Sequence, residues 1–151
     1  MSFDLDDTII PSSKIFPTEE QNWLLKILGI EKIRKGTITL FKKLRQQGHT
    51  IYIYTTSFRS SFKMLLTFRL YGIPVDRFIN QTHHNQQLRE HKNRTSKYPP
   101  AFGISIHIDD LPGVGMEGEQ YNFRTIILDP EDINWIETVV LGLGKQMYPS
   151  V

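Results

Sequence analysis

Three carboxylates stand close together near the start of the chain, at Asp4, Asp6 and Asp7 in the stretch FDLDDTII. On a strand, alternation sends Asp4 and Asp6 to one face and Phe3 and Leu5 to the other. Carboxylates held side by side repel each other unless a cation sits between them. Other groups of matching chemistry occur further on. Thr55, Thr56 and Ser57 follow the run IYIY, Asp109 and Asp110 follow Ile104 to Ile108, and Lys97 precedes that acidic pair. Oxygen ligands of this kind suit a hard divalent cation such as Mg²⁺, which keeps some waters and contacts substrate phosphate. Asp-Asp-Thr taken alone reads equally as an acidic turn or a helix N-terminus. The distant groups tip the balance toward a shared site only if the fold brings them to one rim.

The pattern of elements predicts that it does. Ser2 to Asp6 reads as a short strand, and His49 to Tyr54, β-branched and aromatic, as a strong one. Ile104 to Ile108 and Arg124 to Leu128 are further short apolar strands, with Arg77 to Asn80 a brief edge strand. Helical spacing marks Thr18 to Leu28, with apolar Trp23, Leu24, Ile27 and Leu28 before Gly29. It also marks Thr37 to Gln47, Phe58 to Tyr71 and Asp132 to Lys145. Gln81 to Lys97 is polar and reads as a surface loop or a frayed helix. Strands separated by helices imply an α/β fold, a three-layer α/β/α Rossmann-like domain with a mainly parallel central sheet. In such sheets ligands bind beyond the carboxyl ends of the strands, where Asp4, Asp6, Thr8, Thr55, Thr56, Asp109 and Asp110 all fall.

Composition bounds the rest. A chain of 151 residues, 39% hydrophobic, fits one domain over 1–151 with a sizeable core. No apolar run is long enough to span a bilayer, and the basic-then-apolar layout of a signal peptide is missing. With no cysteine in the chain, a disulfide framework and thiolate metal sites are excluded. The expectation is a cytoplasmic protein with no membrane partner. A net charge of +2 does not by itself indicate nucleic acid.

Four stretches in order, FDLDDT, IYIYTTS, Lys97 and IHIDDLP, together resemble the four motifs of the haloacid dehalogenase-like (HAD) superfamily and cover roughly residues 3 to 112. The resemblance implies a HAD-like domain and a Mg²⁺-dependent phosphomonoester hydrolase working through an aspartyl-phosphate. By it, Asp4 is the nucleophile and Asp6 the general acid and base. Thr55 binds a phosphoryl oxygen, helped by Thr56 and Thr8, and Lys97 neutralises charge on Asp4 and the phosphoryl group. The metal falls to Asp4, to the backbone carbonyl of Asp6 and to an acid of the fourth motif. The alignment puts Asp110 on the metal with Asp109 behind it, a register open by one residue.

Other residues read more plainly. Asp7 is a solvent-facing or turn-capping acid, and His83, His84 and His91 are surface histidines rather than zinc ligands. Arg89, Lys92, Arg94 and Lys97 form a basic run that is a solvated loop or greets an anionic substrate. Tyr52 and Tyr54 pack within a strand. The first strand has only three residues ahead of Asp4, which is short for the strand that the resemblance places mid-sheet. Neither Thr18 to Leu28 nor Gln81 to Lys97 is long enough for an independent cap, so the chain reads as capless or nearly so. Pro11 to Pro17 and Gln81 to Lys97 are expected to border the site. For a capless member the resemblance implies a large or nucleotide-like phosphorylated substrate, or a homo-oligomer that shields the site. Two alternatives remain beside the general phosphatase. One is a nucleotidase or polynucleotide-end phosphatase, and the other is a non-catalytic phospho-ligand-binding protein.

Overall fold

Alternating buried residues build the centre of the molecule. The computed structural model describes residues 1–89 and 95–144. Five strands, β1 (Ser2–Phe3), β2 (Tyr52–Tyr54), β3 (Arg77–Ile79), β4 (Ile106–Asp109) and β5 (Arg124–Ile127), form one sheet. Its order is β3-β2-β1-β4-β5, and every neighbouring pair is parallel. Parallel pairing requires a crossover between successive strands. The first carries α1 (Trp23–Ile27) and α2 (Thr37–Gln46), the second α3 (Ser61–Leu70), the third α4 (Gln81–Gln87) and the fourth α5 (Pro112–Tyr121), and α6 (Trp135–Gly144) follows β5. The short β1 holds the centre because it is clamped on both sides. Phe3 is level with Ile53 on one neighbour and Ile108 on the other, and the Asp4 amide donates to the Ile108 carbonyl at 2.8 Å.

The two faces of the sheet bury different sets. Phe3, Ile53 and Ile108 share a core with Phe41 and Leu44 of α2, Phe68 of α3, and Trp135 and Val139 of α6. Phe3, Phe41 and Phe68 run as a chain of rings with centroids 4.6 and 6.3 Å apart. Tyr54 and Ile79 point the other way and pack with Phe102 and Ile104, around a single 3₁₀ turn at Pro99–Phe102. The last strand shows the same alternation. Ile126 meets Gly142 of α6, whereas Thr125 and Ile127 meet Gly115 and Gly118 of α5. Helices therefore cover both sides, and the fold is the expected three-layer, Rossmann-like α/β arrangement.

Three local expectations are corrected. The helix read over Thr18 to Leu28 is a single short piece, α1, opened by the Asn22 side chain accepting from the Leu25 amide at 2.9 Å. Thr18 instead bridges Arg34 in antiparallel fashion, with the Glu19 amide bonded to the Ile33 carbonyl at 2.7 Å. The apolar residues that suggested this helix point outward: Trp23 and Ile27 are each 72% exposed, and only Leu25 is buried. Gln81–Gln87 is a formed helix with an Asn80–His83 capping box. His84 on it is buried, not on the surface, and its Nδ1 lies 2.6 Å from the Tyr54 hydroxyl. The glycine-rich segment 112–121, for which the sequence reading names no element, is α5. His91, Lys92 and Arg94 lie outside the described residues, while Arg89 is exposed and His83 half-buried. No helix among the described residues is long and apolar enough to cross a membrane.

Candidate active site

Parity along the strands decides which side chains meet. Ser2 is paired with His107 across β1 and β4, so Ser2, Asp4, His107 and Asp109 all point to the same face. Asp4 then leaves the carboxyl end of β1, Asp109 ends β4, Asp110 follows it, and Thr55 follows β2. One carboxylate oxygen from each of Asp4, Asp109 and Asp110 lies within 4.8 Å of the others. A cleft of about 230 Å³ opens above them, lined by Asp4, Asp6, Asp110, Thr55, Thr56 and Lys97, with Asp7, Ser57 and Leu111 completing its wall.

Lys97 reaches this centre from the α5 side. Its Nζ donates to Asp4 Oδ1 and, at 2.6 Å, to Asp109 Oδ2. A buried ammonium needs close, opposite partners, and here two carboxylates supply them. The backbone around it is fixed by Glu117 of α5, which accepts from the Ser96 amide at 2.8 Å, the Ser96 hydroxyl at 2.6 Å and the Lys97 amide at 3.4 Å. Tyr54 adds a second anchor, because its hydroxyl oxygen accepts from the Tyr98 amide at 3.0 Å. Burial raises the Tyr54 phenol and lowers the His84 ring, and the two share a hydrogen bond between the hydroxyl and His84 Nδ1.

The acids differ in charge state. Burial raises Asp4 to about 7, helped by the neighbouring Asp109 and opposed by the Lys97 ammonium. Asp109 is pushed upward by burial too, but the His107 hydrogen bond and the Lys97 charge outweigh it and hold Asp109 well below the usual carboxylate range. Burial lowers His107 to about 4, so the ring is neutral. His107 Nε2–H therefore donates to Asp109 Oδ2 at 2.9 Å, and its Nδ1 accepts from the Ser2 hydroxyl at 2.8 Å. The two acids on Lys97 against its own burial hold the ammonium charged. Asp110, half-buried, is raised by burial despite the Thr8 hydroxyl that donates to it at 3.0 Å.

The structure brings together Asp4, Asp109, Asp110 and Lys97, with Thr55 and Thr56 on the wall. Asp110 faces the cleft, while Asp109 is fully buried, engaged by Lys97, His107 and the Leu111 amide. Thr8 is buried and turned to Asp110, not to the cleft. Asp7, at φ 63°, accepts from the Ser12, Ser13 and Lys14 amides at 2.8 Å each, the turn-capping role expected of it. Of the expected border, Ser12 to Lys14 wraps the Asp7 that lines the cleft. The Asp6 carboxylate stands apart from the three-acid group. The cation beside it is Arg59, at 2.6 Å, and Arg59 also pairs with Glu31. Arg59, Glu31, Glu117 and His107 were not foreseen as site residues. His107 had a signal, two residues before Asp109 on a buried strand. Arg59 and Glu31 had none, since nothing local separates them from surface charges.

Three carboxylates within reach of one ion, beside hydroxyls and away from sulfur and unpaired imidazole, form a donor set suited to a hard divalent cation. No family model matches the chain, and no curated protein does. Among solved structures it is similar to the Pnkp1/Rnl/Hen1 complex, with a TM-score of 0.54 and 13% identity over 87% of this chain. The match spans 45% of that structure's chain. At this identity the likeness concerns the fold.

Proposed function

We propose that the protein is a Mg²⁺-dependent phosphomonoester hydrolase in which Asp4 is the nucleophile. The observation that carries the reading is the buried ammonium of Lys97 between Asp4 and Asp109 at the carboxyl end of the central strand. The ordered HAD-like motifs support it, because each of their chemically distinct residues falls on the same rim.

In this reading an Asp4 carboxylate oxygen attacks phosphorus, and the bond from phosphorus to the leaving oxygen breaks. Asp6, entering protonated on the carboxyl oxygen that Arg59 does not hold, gives that proton to the leaving oxygen, so an alcohol departs and Asp4 carries the phosphoryl group. Asp6 then takes a proton from water as the water oxygen attacks phosphorus. The Asp4–phosphorus bond breaks, inorganic phosphate leaves and both acids return to their starting states. Lys97 holds Asp4 in place and offsets negative charge gathering at the phosphoryl oxygens. Thr55 and Thr56 supply hydroxyls on the cleft wall. Asp4 and Asp110 would hold the metal, with Asp109 and Thr8 fixing the Lys97 and Asp110 side chains behind them. When bound, Mg²⁺ would supply positive charge to the phosphoryl oxygens.

Hydrolysis of p-nitrophenyl phosphate with and without Mg²⁺ tests this, in wild type, Asp4→Asn and Asp6→Asn. Turnover should require the metal, vanish in Asp4→Asn and fall sharply in Asp6→Asn. Phosphate-ester binding without turnover in the wild type would favour the non-catalytic alternative. The open cleft and the Ile-Asp-Asp ending of β4 favour a bulky substrate such as a nucleotide or a polynucleotide end. Comparing phosphorylated oligonucleotides with small phosphomonoesters distinguishes that narrower class.

A further inference from the structure

Asp6 sits on the turn after β1, bridged to Ile10, beyond the regular strand that fixes Asp4. A short carboxylate there has several rotamers, and something must choose among them. Among the described residues, Arg59 is its side-chain hydrogen-bond partner, Nη2 donating to Asp6 Oδ1 at 2.6 Å. Arg59 is itself held at both ends. Its Nη1 donates to Glu31 Oε1, and its carbonyl accepts from the Asn80 side-chain amide at 3.0 Å. Asn80 is buried and caps α4, so this grip comes from the body of the fold. Glu31 lies in the segment between α1 and α2. The planar guanidinium fork fixes direction as well as charge, which an ammonium does less well.

We propose that Arg59 is a positioning residue for the acid–base step, with Glu31 and Asn80 aiming its guanidinium so that the Asp6 carboxyl stands beside the leaving oxygen. The inference rests on the reading of Asp6 as acid and base given above. It also ties the segment between α1 and α2 to the reaction centre, because Glu31 acts on Asp6 through Arg59. A purely structural Arg59 would have a different signature. Losing it would lower turnover of every substrate alike, whereas loss of acid positioning weighs on esters whose leaving group needs a proton. A nitrophenolate departs with little protonation, and an alkoxide does not.

The test compares kcat for p-nitrophenyl phosphate and for glycerol phosphate, both with Mg²⁺, in wild type, Arg59→Ala, Arg59→Lys, Glu31→Gln and Asp6→Asn. Arg59→Ala should lose at least about tenfold more rate on the alkyl ester than on the aryl ester, within the range of general acid catalysis. Arg59→Lys should recover part of that difference. Adding Arg59→Ala to Asp6→Asn should cost nothing further, since the positioned group is already gone. Glu31→Gln, which keeps the arginine and the fold, should show a smaller contrast of the same sense. Equal losses on both esters in Arg59→Ala and Glu31→Gln, with the wild type active, would overturn the positioning role and leave the phosphatase reading standing. A wild type inert on both esters would overturn both.

Discussion

Lys97 is the residue on which the site turns. Its ammonium is buried between two carboxylates, one of which, Asp109, is wholly buried. Removing one partner of a buried ion pair leaves uncompensated charge, at a cost of about 3–5 kcal/mol. Lys97→Met should lose that much stability in denaturant unfolding and should also lose turnover, because in the proposed mechanism the same charge would face the phosphoryl group. An effect on turnover with no effect on stability would mean that the two carboxylates are not forced together as the hydrogen bonds indicate. Lys97, Asp4 and Asp110 were legible in the sequence because their types and order are unusual. Arg59 was not, because an arginine in Phe-Arg-Ser looks like any surface cation until the turn carrying Asp6 is folded against it. Asp6 illustrates the same limit. Alternation correctly separated Asp4 from Phe3 and Leu5, but regular pairing ends before Asp6, and its carboxylate meets Arg59 instead of joining the other acids.

Two helices show the limits of periodicity. α5 contains Gly113, Gly115 and Gly118, residues of low helix propensity. In the fold they are contact points: a Cβ on Gly118 would stand 2.7 Å from the Phe123 carbonyl oxygen, and one on Gly115 would stand 2.9 Å from Ile127. Gly118→Ala should therefore destabilise the protein by about 1–3 kcal/mol through overpacking, measured by thermal or denaturant unfolding. It should also lower kcat, because Glu117 next to it fixes Ser96 and Lys97. α1 erred in the opposite direction, since its apolar residues face outward. A strand entry supplies the pH test. Asp76 accepts from the Ile51 amide at 2.8 Å and from Arg45 at 2.7 Å; burial opposes these contacts, but they hold its pKa below the ordinary value of 3.8. Its contribution is complete above the unfolded pKa and disappears as pH falls through the lower folded value. The stability gap between wild type and Asp76→Asn should thus be full at pH 6 and shrink below pH 4. A gap unchanged at low pH would contradict the assignment.

The molecule as a whole works by convergence. Asp4, Thr55 and Asp110 follow three different strands, and parallel pairing delivers them to one rim, 51 and 55 residues apart in sequence. This much was readable from strand–helix alternation alone, whereas the burial of His84 and the reach of Glu117 depended on helices that the sequence signals left faint. A rim that binds Mg²⁺ only when folded should stabilise the protein by mass action, by about 2.7 kcal/mol at a hundredfold excess over Kd. The melting temperature should rise with Mg²⁺ in the wild type and stay unchanged in Asp110→Asn. The central claim, that Asp4 takes the phosphoryl group, has a more direct test. Asp6→Asn should slow breakdown of the phosphorylated enzyme, so it can be mixed with radiolabelled aryl phosphate and Mg²⁺, quenched in acid and digested. The label should sit on the peptide containing Asp4, be released by hydroxylamine as an acyl phosphate is, and be missing in the Asp4→Asn protein. Turnover of the ester with no label on that peptide, or with label that survives Asp4→Asn, would contradict the account.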